Sequence, residues 1–338
     1  MREEGGGYKQ YKKEYMKVID IIHQAKENGE ARFSFELLPP LKGDGLDKVF
    51  HAIDTLLPYK PAFINVTSHR EEIKYVERPD GLIEKHIVRR RPGTTGVCAA
   101  IRQKYGIEVV PHVICGGMSR YDIEDLLIDL DFLGIQNVLA LRGDAMPGTS
   151  RFVADKDGHA HSDALVKQIN AMNNGIFIDG EPNTSHRSDF CIGVAGYPEK
   201  HAEAPNYLTD IGYLKQKIDA GAEYIATQIS YSSEQIIRFR DRCSEVGINV
   251  PILPGLKPFA TKAQLNVLPQ TFSVVLPQLL VDKVTACRDN DDVKKVGIEW
   301  AIKQGEELLR AGFPVLHFYT MTRTQQVQEI LKGLGMGE

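Results

Sequence analysis

Short apolar runs recur along this chain and alternate with longer stretches that carry helical spacing. In the first run Phe33 and Phe35 alternate with Ser34 and Glu36, a period of two that predicts a strand. Pro39-Pro40 removes backbone donors and fixes φ, so that strand must end close to residue 38. Further runs at 62–66, 108–114, 137–141, 190–195, 223–229, 249–253 and 313–318 bring the count to eight. Between them lie amphipathic stretches such as 119–133, with Ser119 as N-cap and Leu126, Leu127, Leu130 and Leu133 on one side, and 207–220. Several close on glycine before the next strand, as in Leu133-Gly134-Ile135, Ala220-Gly221-Ala222 and Val246-Gly247-Ile248. Residues 8–28 repeat the helical spacing through Tyr15, Val18, Ile19 and Ile22 and stop at Asn28-Gly29. Eight strands alternating with helices predict an α/β fold, a (β/α)8 TIM barrel, over 1–338 with residues 1–30 as an N-terminal helical extension. A doubly wound sheet is the alternative, but no G-x-G-x-x-G follows any strand.

Two connections exceed the minimal unit. Residues 69–93, with Arg89-Arg90-Arg91-Pro92-Gly93, follow the second strand, and residues 145–160 follow the fourth; long loops on that side of a barrel usually carry function. The arginine run reads first as a solvated face. Residues 172–188 read as an exposed excursion. Composition narrows the class further. Hydrophobic residues at 42% and charged residues at 25% are ordinary for a globular chain, and 41 basic against 45 acidic residues give a net charge of −4. That balance offers no electrostatic case for nucleic acid or an anionic membrane. The charged, Gly-rich N-terminus lacks an apolar signal region, so a cytoplasmic protein is expected. Five dispersed cysteines without a C-x-x-C pair read as reduced and mostly buried.

In a parallel barrel the C-terminal strand ends form one ring, where ligands bind. Read in order, they supply Glu36; Thr67, Ser68 and His69; His112; Arg142, Gly143 and Asp144; Tyr197 and His201; Gln228; Lys257; and His317, Tyr319 and Arg323. Each has a bland reading alone: His112 as a satisfied core histidine, Gln228 as a barrel-mouth amide, Asp144 as a turn cap. Lys257, in Pro254-Gly255-Leu256-Lys257-Pro258, reads first as part of a turn. The ring mixes carboxylates, an amide and bases without the spacing of a metal site, which favours acid–base chemistry on an organic substrate.

These residues sit in local patterns that resemble the methylenetetrahydrofolate reductase family, in the family's order, from about Phe33 to Gly333. The patterns are F-S-F-E-L-L-P-P at 33–40, I-N-V-T at 64–67, P-H-V-I-C at 111–115 and N-V-L-A-L-R-G-D at 137–144. V-A-G-Y-P-E-K-H at 194–201, L-K-Q-K-I-D-A-G-A at 214–222, A-T-Q-I-S-Y at 226–231 and H-F-Y-T-M-T-R at 317–323 complete the set. The resemblance implies FAD at the top of the barrel, with NADH or NADPH and a folate using the same flavin face in turn. It implies Glu36 as the general acid that protonates the folate nitrogen and opens the five-membered ring to an iminium. It places Asp144 beside flavin and folate, and Gln228 in alternate contact with folate and nicotinamide. Thr67, Ser68, His112, Arg142, Gly143, Asp144, Ser162, Tyr197, His201, Asp210 and Lys217 fall on positions lining FAD, Lys217 being suited to the pyrophosphate. Asp144, Gln228, Gln264, Leu268, Tyr319 and Arg323 fall on folate-side positions, Arg323 suited to a carboxylate.

The chain departs from the family pattern at Tyr213 and Gln216, where many relatives carry Asn and Arg, and at Leu268, an aromatic position elsewhere. An insertion precedes His161 and Ser162. No regulatory domain follows the barrel, so adenosylmethionine inhibition is not expected. To act as an acid near neutrality Glu36 must hold its proton, and burial, with Asp144 adding like-charge repulsion, is expected to raise its pKa. Two other classes stay open: a Schiff-base lyase or aldolase with Lys257 as nucleophile, and a non-catalytic folate-binding barrel. A homo-oligomer is compatible with the chain.

Overall fold

A computed structural model of the chain describes residues 15–146, 149, 151–180, 182, 187–320 and 324–337. The strands are β1 (Arg32–Leu37), β2 (Phe63–Val66), β3 (Glu72–Glu77), β4 (Ile83–Val88), β5 (Glu108–Ile114), β6 (Asn137–Leu141), β7 (Cys191–Gly196), β8 (Tyr224–Ile229), β9 (Ile252–Leu256) and β10 (Val315–Tyr319). The helices are α1 (Val18–Glu27), α2 (Asp47–Leu56), α3 (Thr94–Tyr105), α4 (Arg120–Phe132), α5 (Ser162–Asn173), α6 (Tyr207–Asp219), α7 (Ser233–Glu245), α8 (Gln264–Phe272), α9 (Gln278–Ala286), α10 (Asn290–Arg310) and α11 (Thr324–Gly333). Among the described residues, β1, β2, β5, β6, β7, β8, β9 and β10 close in that order into a parallel barrel, β10 pairing back onto β1. This is the expected (β/α)8 architecture, with α1 as the extra helix.

Strand alternation sorts the side chains into two environments. Phe33, Phe35 and Leu37 point outward and pack with Val49, Ile53 and Leu56 of α2 and with the rest of the helix ring. Ser34 and Glu36 therefore face the barrel interior, where Ser34 meets His317. The lower interior is apolar: Phe63, Val110, Leu139, Cys191, Tyr224, Leu253 and Val315 are joined there by Val18, Ile22 and Ala25 of α1. Helix α1 thus plugs the N-terminal end, and two side chains fasten its entry: the Met16 amide donates to Glu108 Oε1 at 2.8 Å and the Val18 amide to Asn137 Oδ1 at 2.8 Å. The caps follow the residues that dictate them. Ser119 and Asp122 form a reciprocal capping box at α4, and Asp289 accepts from the Asp291 and Asp292 amides at α10.

Two elements differ from the sequence expectation. The long connection 69–93 holds an antiparallel ribbon, β3 paired with β4 from Glu72↔Val88 to Glu77↔Ile83, which the sequence pattern does not predict. The seventh barrel strand begins three residues later than the apolar run suggests and passes through Pro254-Gly255, so Lys257 directly follows its end, at the place the ring of strand ends gives it. Gly255 permits this path, because a Cβ there would lie 2.4 Å from the Thr227 carbonyl oxygen and 2.6 Å from the Tyr319 ring. Among the described residues no helix is long and apolar enough to cross a membrane.

Candidate active site

The upper barrel interior is polar where the lower one is not. Glu36, last but one in β1, is buried, 7% exposed, and its Oε2 lies 3.6 Å from His112 Nε2 on β5. Burial pushes the Glu36 carboxyl up to about 7, with the Lys257 cation opposing. His112 moves the other way, down to about 3, through burial first and then the neighbouring His317 and His69. The contact is therefore between a proton-holding acid and a neutral imidazole rather than an ion pair. Asn65 Nδ2 lies 3.3 Å from the same His112 nitrogen, and Asn65 Oδ1 is buried without a hydrogen-bond partner. Opposite, His317 is also driven down to about 3 by burial, bonds Ser34 Oγ at 2.9 Å, and stands edge-on to Tyr319. The expected push from Asp144 on Glu36 is replaced by the pull of Lys257, since β9, β10 and β1 are consecutive and Lys257 Nζ reaches the Tyr319 carbonyl at 3.4 Å.

Tyr319 also donates its hydroxyl to the Thr227 carbonyl at 2.7 Å, joining the β10 end to the β8 end. There the ladder to β9 shifts register between Ala226 and Ile229, and the bulge presents Gln228, whose Oε1 accepts from the Ile229 amide at 2.9 Å. Bulges of this kind re-aim side chains beside sites.

A second, more basic cluster gathers at β6, β7 and α6. Arg142 forms a bidentate pair with Glu203 at 2.6 and 2.7 Å and lies over the Phe152 ring. Gly143 follows with φ of +84°, a left-handed turn that favours glycine, and leads to exposed Asp144, whose charge reaches Arg142, Tyr197 and His69. Tyr197 packs edge-on against His201, its phenol pushed up to about 12 by burial and then by Asp210. Buried Asp210 accepts from the His201 amide at 3.0 Å. Lys217 donates to the Ala195 carbonyl at 2.5 Å, and burial lowers its pKa to about 8 against the pull of Asp210 and Asp163.

Other sequence candidates sit further from these clusters. Thr67 Oγ1 lies 3.1 Å from His69 Nε2, Ser68 is partly buried beside it, and Ser162 opens α5. Gln264 spends its Oε1 on the Ala260 and Thr261 amides at 2.6 and 3.0 Å. Leu268 is buried with Ile229, Tyr231 and Phe259, behind Tyr319. Arg323 lies outside the described residues. Asn65 and Glu199 were not singled out from sequence. Asn65 is signalled only as the polar member of an apolar run, and Glu199 by its place two residues beyond Tyr197. Burial pushes Glu199 up to about 7, opposed by its hydrogen bond from Ser230.

Known proteins are similar to this chain in sequence and in fold. The family model described as Methylenetetrahydrofolate reductase matches residues 21–335. The chain is 31% identical to "Methylenetetrahydrofolate reductase (NADH) 1" of Arabidopsis thaliana over 95% of its own length and 51% of that protein. It thus spans about half the length of the plant relatives it matches. It is 29% identical to "5,10-methylenetetrahydrofolate reductase" of Salmonella typhimurium over 92% of this chain and 93% of that one. A solved structure from Clostridium thermocellum, described as binding two copies of 5-methyl-5,6,7,8-tetrahydrofolic acid, has the same fold, with a TM-score of 0.53, 14% identity, and coverage of 94% of this chain and 99% of that chain.

Proposed function

This chain belongs to the methylenetetrahydrofolate reductase family, and from that premise we propose that it reduces 5,10-methylenetetrahydrofolate to 5-methyltetrahydrofolate with NADH or NADPH in a ping-pong cycle. The observation that carries the reading is Glu36: a buried carboxyl, held near 7, at the barrel mouth beside a neutral imidazole. A group that keeps its proton until about neutrality is fitted to donate it to a basic nitrogen in the same pocket. Protonation of the folate nitrogen by Glu36 opens the five-membered ring and leaves an iminium carbon to accept hydride. His112 and His317, both uncharged, do not compete with the folate for that proton.

The fit to a flavin rests on the second cluster. Lys217 is a half-buried cation, its pKa lowered by desolvation, and an anionic pyrophosphate would relieve that cost. Arg142, Tyr197, His201 and Thr67 add donors, and the partnerless Asn65 Oδ1 offers an acceptor within the barrel. When bound, FAD supplies the hydride relay between nicotinamide and folate. Asp144, exposed at the rim, would favour a developing cation on the folate. Gln228 would orient each substrate in turn from its bulge, with Tyr319 behind it.

The test is a visible spectrum of the purified protein. A flavin spectrum that bleaches with NADH or NADPH and returns on adding methylenetetrahydrofolate is expected. Colourless protein that binds folate without turnover would overturn the proposal.

A further inference from the structure

Gln228 does not stand on a regular strand. Its backbone lies in the register shift of β8, and a set of hydrogen bonds pins the residues on either side of it. On one side, the Gly255 amide donates to the Thr227 hydroxyl oxygen at 2.8 Å while the Thr227 carbonyl accepts from Tyr319. On the other side the fixed point is Ser230, 1% exposed. Its hydroxyl donates to Glu199 Oε1 at 2.6 Å, and its carbonyl accepts from Gln304 Nε2 of α10 at 2.8 Å. Gln304 is itself buried. The loop after β7, the end of β8 and helix α10 therefore meet at one serine two residues past Gln228.

We infer that Glu199 is a positioning residue for Gln228, acting through Ser230 to hold the β8 bulge in the register that aims the glutamine at its ligands. The inference rests on the proposed alternation of Gln228 between folate and nicotinamide. A carboxyl at the barrel rim has cheaper places to be than a desolvated contact with one hydroxyl, and its partial burial is the cost that this contact offsets. The bulge leaves the ladder to β9 locally incomplete, so side chains must supply the order that backbone pairing does not. Loss of the Glu199 oxygen leaves the Ser230 hydroxyl only its long contacts with Ser232 at 3.4 and 3.5 Å and lets the 228–230 segment relax, which would misplace Gln228 without touching Glu36. The expected consequence is a rise in KM for both nicotinamide and folate, with the pH dependence of folate reduction unchanged.

The experiment is a double-mutant cycle on the flavin-loaded enzyme, with Glu199→Ala, Glu199→Gln, Gln228→Ala and the Glu199→Ala/Gln228→Ala pair. Glu199→Ala should raise both KM values about tenfold, as loss of a charge-assisted hydrogen bond implies. Glu199→Gln, which keeps an acceptor oxygen for Ser230, should restore them. In the Gln228→Ala background Glu199→Ala should add nothing. Additive effects of the two substitutions, or normal KM values in Glu199→Ala beside raised ones in Gln228→Ala, would overturn the inference and leave the proposed reaction standing. Normal KM values in Gln228→Ala would remove the role of Gln228 and this inference with it.

Discussion

At Glu36 two effects of opposite sign meet on one carboxyl. Desolvation raises its pKa and the Lys257 cation across the β10 strand end lowers it, and the larger effect of burial leaves the group at about 7. Lys257 thus bears on Glu36 as a nearby positive charge. In the proposed reaction Glu36 must be protonated to act as the acid, so the rate of folate reduction should fall as pH rises through a midpoint near 7. Lys257→Met removes a charge that favours the carboxylate, and the midpoint should move up by roughly one pH unit, a typical value for one nearby cation at an intermediate dielectric. A pH profile of the folate half-reaction checks this, and an unmoved midpoint would exclude the cation as the cause. Glu36 was legible in the sequence because Pro39-Pro40 marks where its strand stops. The sign of its neighbour was not, because which of Lys257 and Asp144 lies nearer depends on barrel closure, which no local pattern encodes.

Among the elements, those that bury one face and carry ordinary caps could be read directly; Ser119 with Asp122 at α4 is such a case. The ribbon β3–β4 could not, because an exposed two-stranded element places Glu, Lys and His among its apolar residues and leaves Tyr75, Ile83 and Ile87 exposed, so neither face stands out. Strand β9 was obscured by Pro254-Gly255, a pair that ordinarily signals a turn. Its glycine is a packing requirement set by β8 and β10, both distant in sequence. Gly255→Ala should accordingly destabilise the protein by about 2–4 kcal/mol, since the clash is with the Thr227 backbone and cannot be relieved by a rotamer change. Urea denaturation would measure it, and a loss below about 0.5 kcal/mol would contradict the close approach.

For the whole molecule, closing the barrel places a polar layer above an apolar one, and the polar layer makes stability depend on pH. His112 and His317 titrate near 3 when folded but near 6.5 when exposed, so the unfolded chain takes up protons first as pH falls. Their contribution is complete above 6.5 and is lost progressively between 6.5 and 3. Glu36 runs oppositely: its folded pKa of about 7 exceeds the ordinary 4.5, so stability falls as pH rises from 4.5 through 7. The Glu36→Gln protein should hence gain on the order of 3 kcal/mol at pH 8 and nearly nothing at pH 4, as thermal unfolding at the two pH values would show. Equal effects at both would mean that the carboxyl is not desolvated.

The same substitution addresses the chemistry most directly when the two half-reactions are timed separately in stopped flow. Glu36→Gln should leave flavin reduction by the nicotinamide within a fewfold of the unaltered enzyme and slow reoxidation by methylenetetrahydrofolate by at least about a hundredfold, the contribution usual for a general acid. Equal loss in both half-reactions, or an unimpaired folate step, would contradict the assignment of Glu36 as the acid on which this account turns.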